Sequence, residues 1–330
     1  MRPKISVAMA TYNGGKYLRE QLESLANQVM LPDELVICDD ASTDSSQLIV
    51  ENFALLCPFP VKVYLNSSNI GYAKNFERAL LLTSGDIVFL CDQDDIWFRD
   101  KIRSIVSIFE NAPNLLIAAH DCVFFSKDAV VSSTTLLNNQ RRLSGGSHNQ
   151  IHGCCTVIRR ELMQIALPLP TADCGHYAHD DWLHTAGSFL NCRTIVEDVY
   201  LFYRRHESNV SRSDLYALSS PSSLNRYVYF LKKLRNFKRT PGEHLRHLEE
   251  RLAAVSLLLL RVKSANSTIA WERCIFYVTT LENIQRGLRD RITMSSYKML
   301  PRLGFATRML CAGGYKPFSG WKSFFVDIIK

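Results

Sequence analysis

Ser84-Gly85-Asp86-Ile87-Val88-Phe89-Leu90-Cys91-Asp92-Gln93-Asp94-Asp95-Ile96-Trp97 is the stretch on which the fold turns. Ile87 to Leu90 is a continuous apolar run of strand length, and three carboxylates follow it within the four residues Asp92 to Asp95. A run of this kind, bounded by polar residues, predicts a strand buried on both faces. Three crowded carboxylates repel one another unless something positive lies among them. Hard divalent cations such as Mg²⁺ or Mn²⁺ take carboxylate oxygens and are commonly shared with substrate phosphates. A solvated acidic turn is the plainer reading of such a tetrad, and its position at the end of a buried strand argues against that.

Working outward, the same arrangement recurs upstream. Ile5 to Ala10, Leu35 to Cys38 and Val61 to Leu65 predict three more short buried strands, and Tyr17 to Gln28, Ser45 to Phe53 and Ala73 to Leu82 predict helices between them. Ser42 or Asp44 is the expected cap of the second helix. Strands alternating with helices indicate an α/β fold with a Rossmann-like, mostly parallel sheet. Polar clusters follow the strands: Thr11-Tyr12-Asn13-Gly14, Asp39-Asp40-Ala41-Ser42-Thr43-Asp44 and Asn69-Ile70-Gly71. Ligands of open α/β sheets bind beyond the strand carboxyl ends, so all these clusters can line one pocket.

In that pocket one of Asp39 and Asp40 would accept a hydrogen bond from a pyrimidine imide while the other anchors the loop; Asx-turn chemistry explains Ser42 and Asp44. Thr11, Tyr12 and Asn13 would line the opposite wall. Lys74 and Asn75, at a helix start, are placed to meet a sugar or phosphate. His179-Asp180-Asp181-Trp182 begins another helix-like run. Either Asp there could be only a cap; the functional alternative is the general base an acceptor hydroxyl needs, with Asp180 first and Asp181 in reserve. Tyr203-Arg204-Arg205-His206 gathers groups suited to neutralising a departing diphosphate.

These motifs, in this order over about residues 4–212, resemble the inverting glycosyltransferases of family 2, and the later two resemble the bacterial rhamnosyltransferase-like branch that builds surface polysaccharides. The resemblance implies a GT-A fold, a nucleoside-diphosphate sugar donor carrying dTDP or UDP, and a glycan or lipid-linked glycan acceptor of O-antigen or capsule type. It implies further that Thr11 and Asp39 or Asp40 hold the nucleotide, that Asp92 contacts the ribose side, that Asp94 binds a Mg²⁺ or Mn²⁺ cofactor with Asp95 beside it, and that Asp180 is the base. Relatives usually carry an aromatic residue where Asp181 stands. Arg205 and His206 complete the expected nucleotide-sugar contacts.

Composition bounds the rest. The chain has 330 residues, 47% hydrophobic and 22% charged, with 15 Gly, 11 Pro and 10 Cys, which excludes collagen, low-complexity disorder and disulfide-stapled miniproteins. About 150 residues per domain gives roughly two domains. No apolar run approaches the about 18 to 20 residues a bilayer requires. Met1-Arg2-Pro3-Lys4 leads into a strand and not a signal peptide, so the expectation is a cytoplasmic protein with reduced, mostly packed cysteines. No zinc spacing is present.

Charge divides the chain. Residues 226–330 hold 20 Lys and Arg against 7 Asp and Glu, a balance of +13, which leaves −6 for residues 1–225. The expected organisation is a GT-A catalytic domain over 1–218 and a basic, mainly helical region over 219–330, with Leu245, Leu248, Leu252, Val255 and Leu259 at helical spacing. Such a region suits peripheral attachment to the anionic inner face of a membrane. Leu137 to Gln150, polar and Gly-containing, is expected to be a mobile loop that closes over the site. Two rivals are a sugar-phosphate nucleotidyltransferase, for which Thr11 to Gly15 lacks the basic residue, and a nucleic-acid-binding protein using Tyr227, Tyr229, Phe230 and Phe237 among the basic groups. Nucleic acid is not an expected partner.

Overall fold

The computed structural model describes residues 2–126, 131–144, 152–171, 177–207, 209, 241–265, 271–295, 297, 299–312, 314–315, 318 and 321–329. The chain forms two compact units: Met1–Met163 with Ala178–His184 and Cys192–Lys232, and Gln164–Tyr177 with Thr185–Asn191 and Lys233–Lys330. The expected boundary at 218/219 lies outside the described residues.

In the first unit β1 (Ile5–Thr11), α1 (Leu18–Ala26), β2 (Glu34–Asp39), α2 (Ser46–Leu56), β3 (Val61–Leu65), α3 (Tyr72–Leu82) and β4 (Ile87–Cys91) alternate as the periodicity predicts. Along the chain they are followed by β5 (Ile96–Trp97), α4 (Lys101–Asn111), β6 (Ile117–Ser126), β7 (Val131–Thr135), α5 (Leu136–Ser144), β8 (Thr156–Arg159), α6 (Arg160–Ala166), α7 (His179–Phe189) and β9 (Arg193–Arg205), the C-terminal parts of α6 and α7 belonging to the second unit. The strands make one sheet in the order β3-β2-β1-β4-β8-β6-β9-β5, with β7 on β6. β3, β2, β1 and β4 are mutually parallel. Beyond β4 the sheet is mixed, because β8 runs antiparallel to both of its neighbours.

β1, β2 and β4 are buried almost throughout, which is why their apolar runs do not alternate with polar residues. β3 differs from the expectation of a buried strand. It pairs only with β2, and as an edge strand it leaves Val63 and Leu65 exposed. β6 and β9 are not continuous apolar runs; buried polar residues such as His120 and Asp121 in β6 and Arg204 in β9 lie within the strands. The expected loop at Leu137 to Gln150 is instead helix α5 as far as Ser144; residues 145–150 lie outside the described residues. Its buried face includes Asn139 and Gln140, and the Thr134 hydroxyl donates to Asn139 Oδ1, so a helix face of paired polar residues has the composition of a loop.

At the other end of the strands, Ser84-Gly85-Asp86 ties β4 to β1. A Cβ on Gly85 would stand 2.5 Å from the Ser6 hydroxyl and 2.7 Å from its main-chain N, so only glycine fits there. The neighbouring Glu34 carboxylate is buried, which opposes its ionisation, but hydrogen bonds from Lys62, Ser6 and Ser84 prevail and hold its pKa down to about 2. Because the folded pKa is depressed, this stabilisation is present above the ordinary glutamate value and disappears as pH falls towards 2. Glu34→Gln is therefore expected to lower the urea midpoint at pH 7 and to lower it progressively less as pH falls through about 2, where the folded carboxylate also takes up a proton; an equal loss at both pH values would refute the ionic account.

The second unit contains α8 (Pro241–Ser264), α9 (Trp271–Ser295), α10 (Met299–Cys311) and α11 (Trp321–Ile329). Leu248, Val255, Leu259, Leu281, Ile284 and Leu288 are buried at the expected helical spacing. Inside lies a polar knot. Arg291 donates twice to Asp327, at 2.7 and 2.8 Å, the Tyr315 hydroxyl donates at 3.0 Å, and a His244 ring nitrogen lies 3.1 Å away. Removing one partner from a buried ion pair strands the other. Asp327→Asn should thus cost this unit about 3 to 5 kcal/mol, read from denaturant unfolding; an unchanged midpoint would show the knot to be dispensable. No helix among the described residues is long and apolar enough to cross a membrane, and the nine described cysteines are free thiols.

Candidate active site

The chain lays down β1, β2 and β3 outward in one direction and then returns to the other side of β1 with β4. Ligands of open α/β sheets bind where the order reverses, which here is beyond the carboxyl ends of β1 and β4. Thr11 to Gly14 lie at the end of β1 and Asp92 to Asp95 follow β4. The side-chain amide of Gln93 clasps the two loops, accepting from the Tyr12 N–H at 2.8 Å and donating to the Tyr12 carbonyl at 3.0 Å. The backbone at Gly14 passes so close that a Cβ there would lie 2.2 Å from Gln93 Oε1. Asn13 adopts a left-handed φ of 47° and joins the loop to the β2 cluster, donating its N–H to Ser42 and accepting from the Thr43 N–H. The Tyr12 side chain remains exposed.

The two aspartates that end β2 have separate tasks. Asp40 accepts from Asn66 Nδ2 and from the N–H groups of Ile70 and Gly71, at 2.7 to 2.9 Å, and so anchors the loop before α3. Asp39 accepts from the Thr11 hydroxyl, from both the N–H and hydroxyl of Ser42, and from Gln47. It also borders a cavity of about 220 Å³ lined by Gln47, Val50, Glu51, Val63 and Leu65. Of the expected caps, Asp44 accepts from the Ser46 N–H at the start of α2, while Ser42 serves Asp39. Asn75 is 1% exposed and holds the Cys38 carbonyl and Asn66. Lys74 is exposed and pairs with Glu77. Asn75 thus serves the framework in this structure, while the Lys74 ammonium remains at the surface, where the expected sugar or phosphate contact is a proposal.

The acidic loop crowds three carboxylates, and the pKa values of Asp92 and Asp95 are raised accordingly. Burial pushes Asp92 up to about 8, with the charges of Asp94 and then Asp180 adding to the effect. Burial also raises Asp95 well above the carboxylate range, with Asp94 and Asp92 next in importance. Asp95 is 1% exposed; its Oδ1 accepts the Arg204 N–H, and its buried Oδ2 has no N–H or O–H donor among the described residues, only the Cys154 thiol nearby. Carboxylate oxygens of Asp92 and Asp95 and the Cys154 sulfur lie within 4.8 Å of one another. His206 Nε2 stands 2.8 Å from Asp94 Oδ2. An orphaned buried oxygen among carboxylates that would otherwise hold protons fits a divalent cation, with Asp94, His206, Asp92 and Asp95 as the oxygen and nitrogen donors at hand.

The first turn of α7 carries His179, Asp180 and Asp181. Asp180 Oδ1 accepts the Asp181 N–H at 2.9 Å, so the capping chemistry is present. Its charge also bears on Asp92, His152 and His179, which places it with the acidic loop, while Asp181 is exposed. The turn is held by His179, whose ring stacks on Phe76 at 4.1 Å and presses on Gly153, where a Cβ would lie 2.8 Å from Nε2. Burial lowers the pKa of His179, keeping it neutral. Arg205 is near enough to His152 for its charge to be felt there. Sequence reasoning missed Gln93, Cys154 and the buried Lys101, whose Nζ donates to the Cys154 carbonyl and lies 3.6 Å from the Trp97 ring centroid. Lys101 shares a helical face with Ile105, and that spacing was the available signal.

A nucleotide-binding sheet with its switch-point crevice lined by acids is the architecture of a GT-A sugar transferase. Residues 6–165 match the model of glycosyl transferase family 2, and the chain is a glycosyltransferase carrying a family 2 domain over that stretch. It is 29% identical over 224 residues to dTDP-rhamnosyl transferase RfbG of Shigella flexneri, covering 61% of this chain and 72% of that protein. It is 29% identical over 115 residues to abequosyltransferase RfbV of Salmonella typhimurium, covering 34% of each. An uncharacterized protein of Mycobacterium tuberculosis, Rv1520, is 28% identical over 63% of this chain, which spans 61% of its length. Among solved structures, S. aureus TarS 1–349 in complex with UDP-GlcNAc aligns over 87% of this chain and 91% of that one, with 19% identity and a TM-score of 0.49.

Proposed function

We propose that this chain transfers a sugar, rhamnose being the first candidate, from a dTDP- or UDP-sugar to a hydroxyl of a growing, lipid-linked surface glycan, with inversion at the anomeric carbon. The observation that carries the reading is the nearness of Asp180 to Asp92, close enough for its charge to be felt there, together with His206 on Asp94. Rhamnose rests on the likeness to the Shigella protein.

In this reading Asp180 removes the proton of the acceptor hydroxyl as its oxygen attacks. One carboxylate suffices for such a displacement, whereas glycoside hydrolysis requires two flanking groups to activate water and protonate the leaving oxygen. Thr11, Tyr12 and Asn13 line the nucleotide side, Asp39 lies by the base and Asp92 by the ribose. Arg205 and His206 stabilise negative charge on the departing diphosphate. A Mg²⁺ or Mn²⁺ ion held by Asp94, Asp95 and His206 would neutralise that charge further.

The test is incubation with a panel of nucleotide sugars and Mn²⁺, with release of nucleoside diphosphate as the readout. Slow donor hydrolysis by one member is the expected result; release of pyrophosphate from a nucleoside triphosphate and a sugar phosphate would favour the nucleotidyltransferase instead. The basic balance of residues 226–330 supports peripheral docking at the inner face of a membrane, in a cytoplasmic location. Docking of this kind should be released by high salt. The aromatic residues of the nucleic-acid alternative, Tyr227 to Phe237, and the 1–218/219–330 division lie outside the described residues.

A further inference from the structure

Arg204 is the last residue but one of β9, two residues before His206. Its side chain is 5% exposed, and a guanidinium so deeply buried requires partners for its charge and donors. Nε donates to the Asp94 carbonyl at 2.8 Å, and Nη2 donates to a Glu20 carboxylate oxygen at 2.7 Å. The guanidinium lies 4.4 Å from the Phe125 ring centroid and 4.7 Å from that of Tyr17. Tyr17 in turn packs 4.8 Å from the His206 ring. The main-chain N–H of the same residue donates to Asp95 Oδ1 at 3.0 Å.

One residue thus touches the peptide of Asp94, the carboxylate of Asp95 and, through Tyr17, the ring of His206. We propose that Arg204 is a positioning residue for the cation site: its guanidinium, held by Glu20 and clamped between Tyr17 and Phe125, fixes the Asp94 peptide so that the Asp94 carboxylate and the His206 imidazole face one another. The proposal rests on the reading of those two groups as cation ligands. The planar fork is essential to it, because donors in two directions and a flat face on each side are used together. Lysine offers a compact point charge and no such plane. The Glu20 carboxylate is half exposed on α1, so its removal loosens the guanidinium without opening the core.

The experiment titrates Mn²⁺ into the full chain with UDP present, following free Mn²⁺ by electron paramagnetic resonance, for wild type, Arg204→Lys and Glu20→Gln. Arg204→Lys should weaken Mn²⁺ binding about 10- to 100-fold, the range found when groups orienting metal ligands are lost. Glu20→Gln should weaken it in the same direction by less, about threefold to tenfold. In turnover, KM for Mn²⁺ should rise while kcat at saturating Mn²⁺ is retained. A merely structural Arg204 would lower the unfolding midpoint and leave the Mn²⁺ affinity of the folded fraction unchanged. Variants that fold and bind Mn²⁺ as wild type does would overturn the proposal alone. A wild-type protein that binds no Mn²⁺ with UDP would overturn the cation reading and Arg204's role with it. Should Arg204→Lys fail to fold, Glu20→Gln decides, since an unchanged affinity there also refutes the proposal.

Discussion

Asp180→Asn should lower kcat by about 10²- to 10⁴-fold, the contribution of a positioned general base, with little change in the affinity for the nucleotide. The substitution is conservative where the fold is concerned. Asparagine Oδ1 can still accept the Asp181 N–H that Asp180 accepts now, and His179 remains stacked on Phe76, so the first turn of α7 keeps its seat. What disappears is the capacity to take a proton. Asp181→Asn, at the neighbour held in reserve, should cost less than about tenfold when Asp180 is the group that takes the proton. If Asp181→Asn were the inactive variant, the base would be reassigned to it. Full activity in both variants would remove a carboxylate base from the mechanism.

Asp94→Asn is expected to abolish cation-dependent activity while making the cation-free protein no less stable, a combination that an ordinary loss of structure cannot produce. Asp94 is the neighbouring charge that does most to raise both Asp92 and Asp95. Neutralising it relieves repulsion in a buried cluster. The stabilisation that Mn²⁺ with UDP confers on the wild type should vanish at the same time. At a ligand concentration about 100 times Kd that stabilisation amounts to about 2.7 kcal/mol, a shift easily read in thermal unfolding. A variant that still gains this stabilisation would show that Asp94 is not needed to hold the ion. A cation-free variant less stable than wild type would show that the acidic loop is held together by attractions instead of strained by repulsion.

Much of this site is legible in the amino-acid sequence because β1, β2 and β4 are buried on both faces. A strand in that position is an uninterrupted apolar run, so its end is sharply marked by the first polar residue. Asp92 to Asp95, Asp39 and Thr11 were located in that way. The same rule fails for β6 and β9, where His120 and Asp121 lie in the sheet because the fold supplies their partners. It fails again for α5, whose buried Asn139 and Gln140 disguise a helix face. Arg204 was quoted as one of a basic trio, yet nothing local distinguishes it from Arg205; the difference arises from Glu20 and Tyr17, far away along the chain and adjacent in space.

The order of strands and helices, the placing of acidic clusters at strand ends and the charge contrast between the two parts of the chain follow from the sequence alone, since they depend on local hydrophobic pattern and composition. Tertiary structure alone decided which polar groups are committed to the framework. Asp40 and Asn75 are tied into the framework by partners from other segments, whereas Asp92 feels the charges of Asp94 and Asp180. A carboxylate becomes a site or a strut according to whether donors reach it, and those donors come from segments whose proximity only the folded sheet establishes.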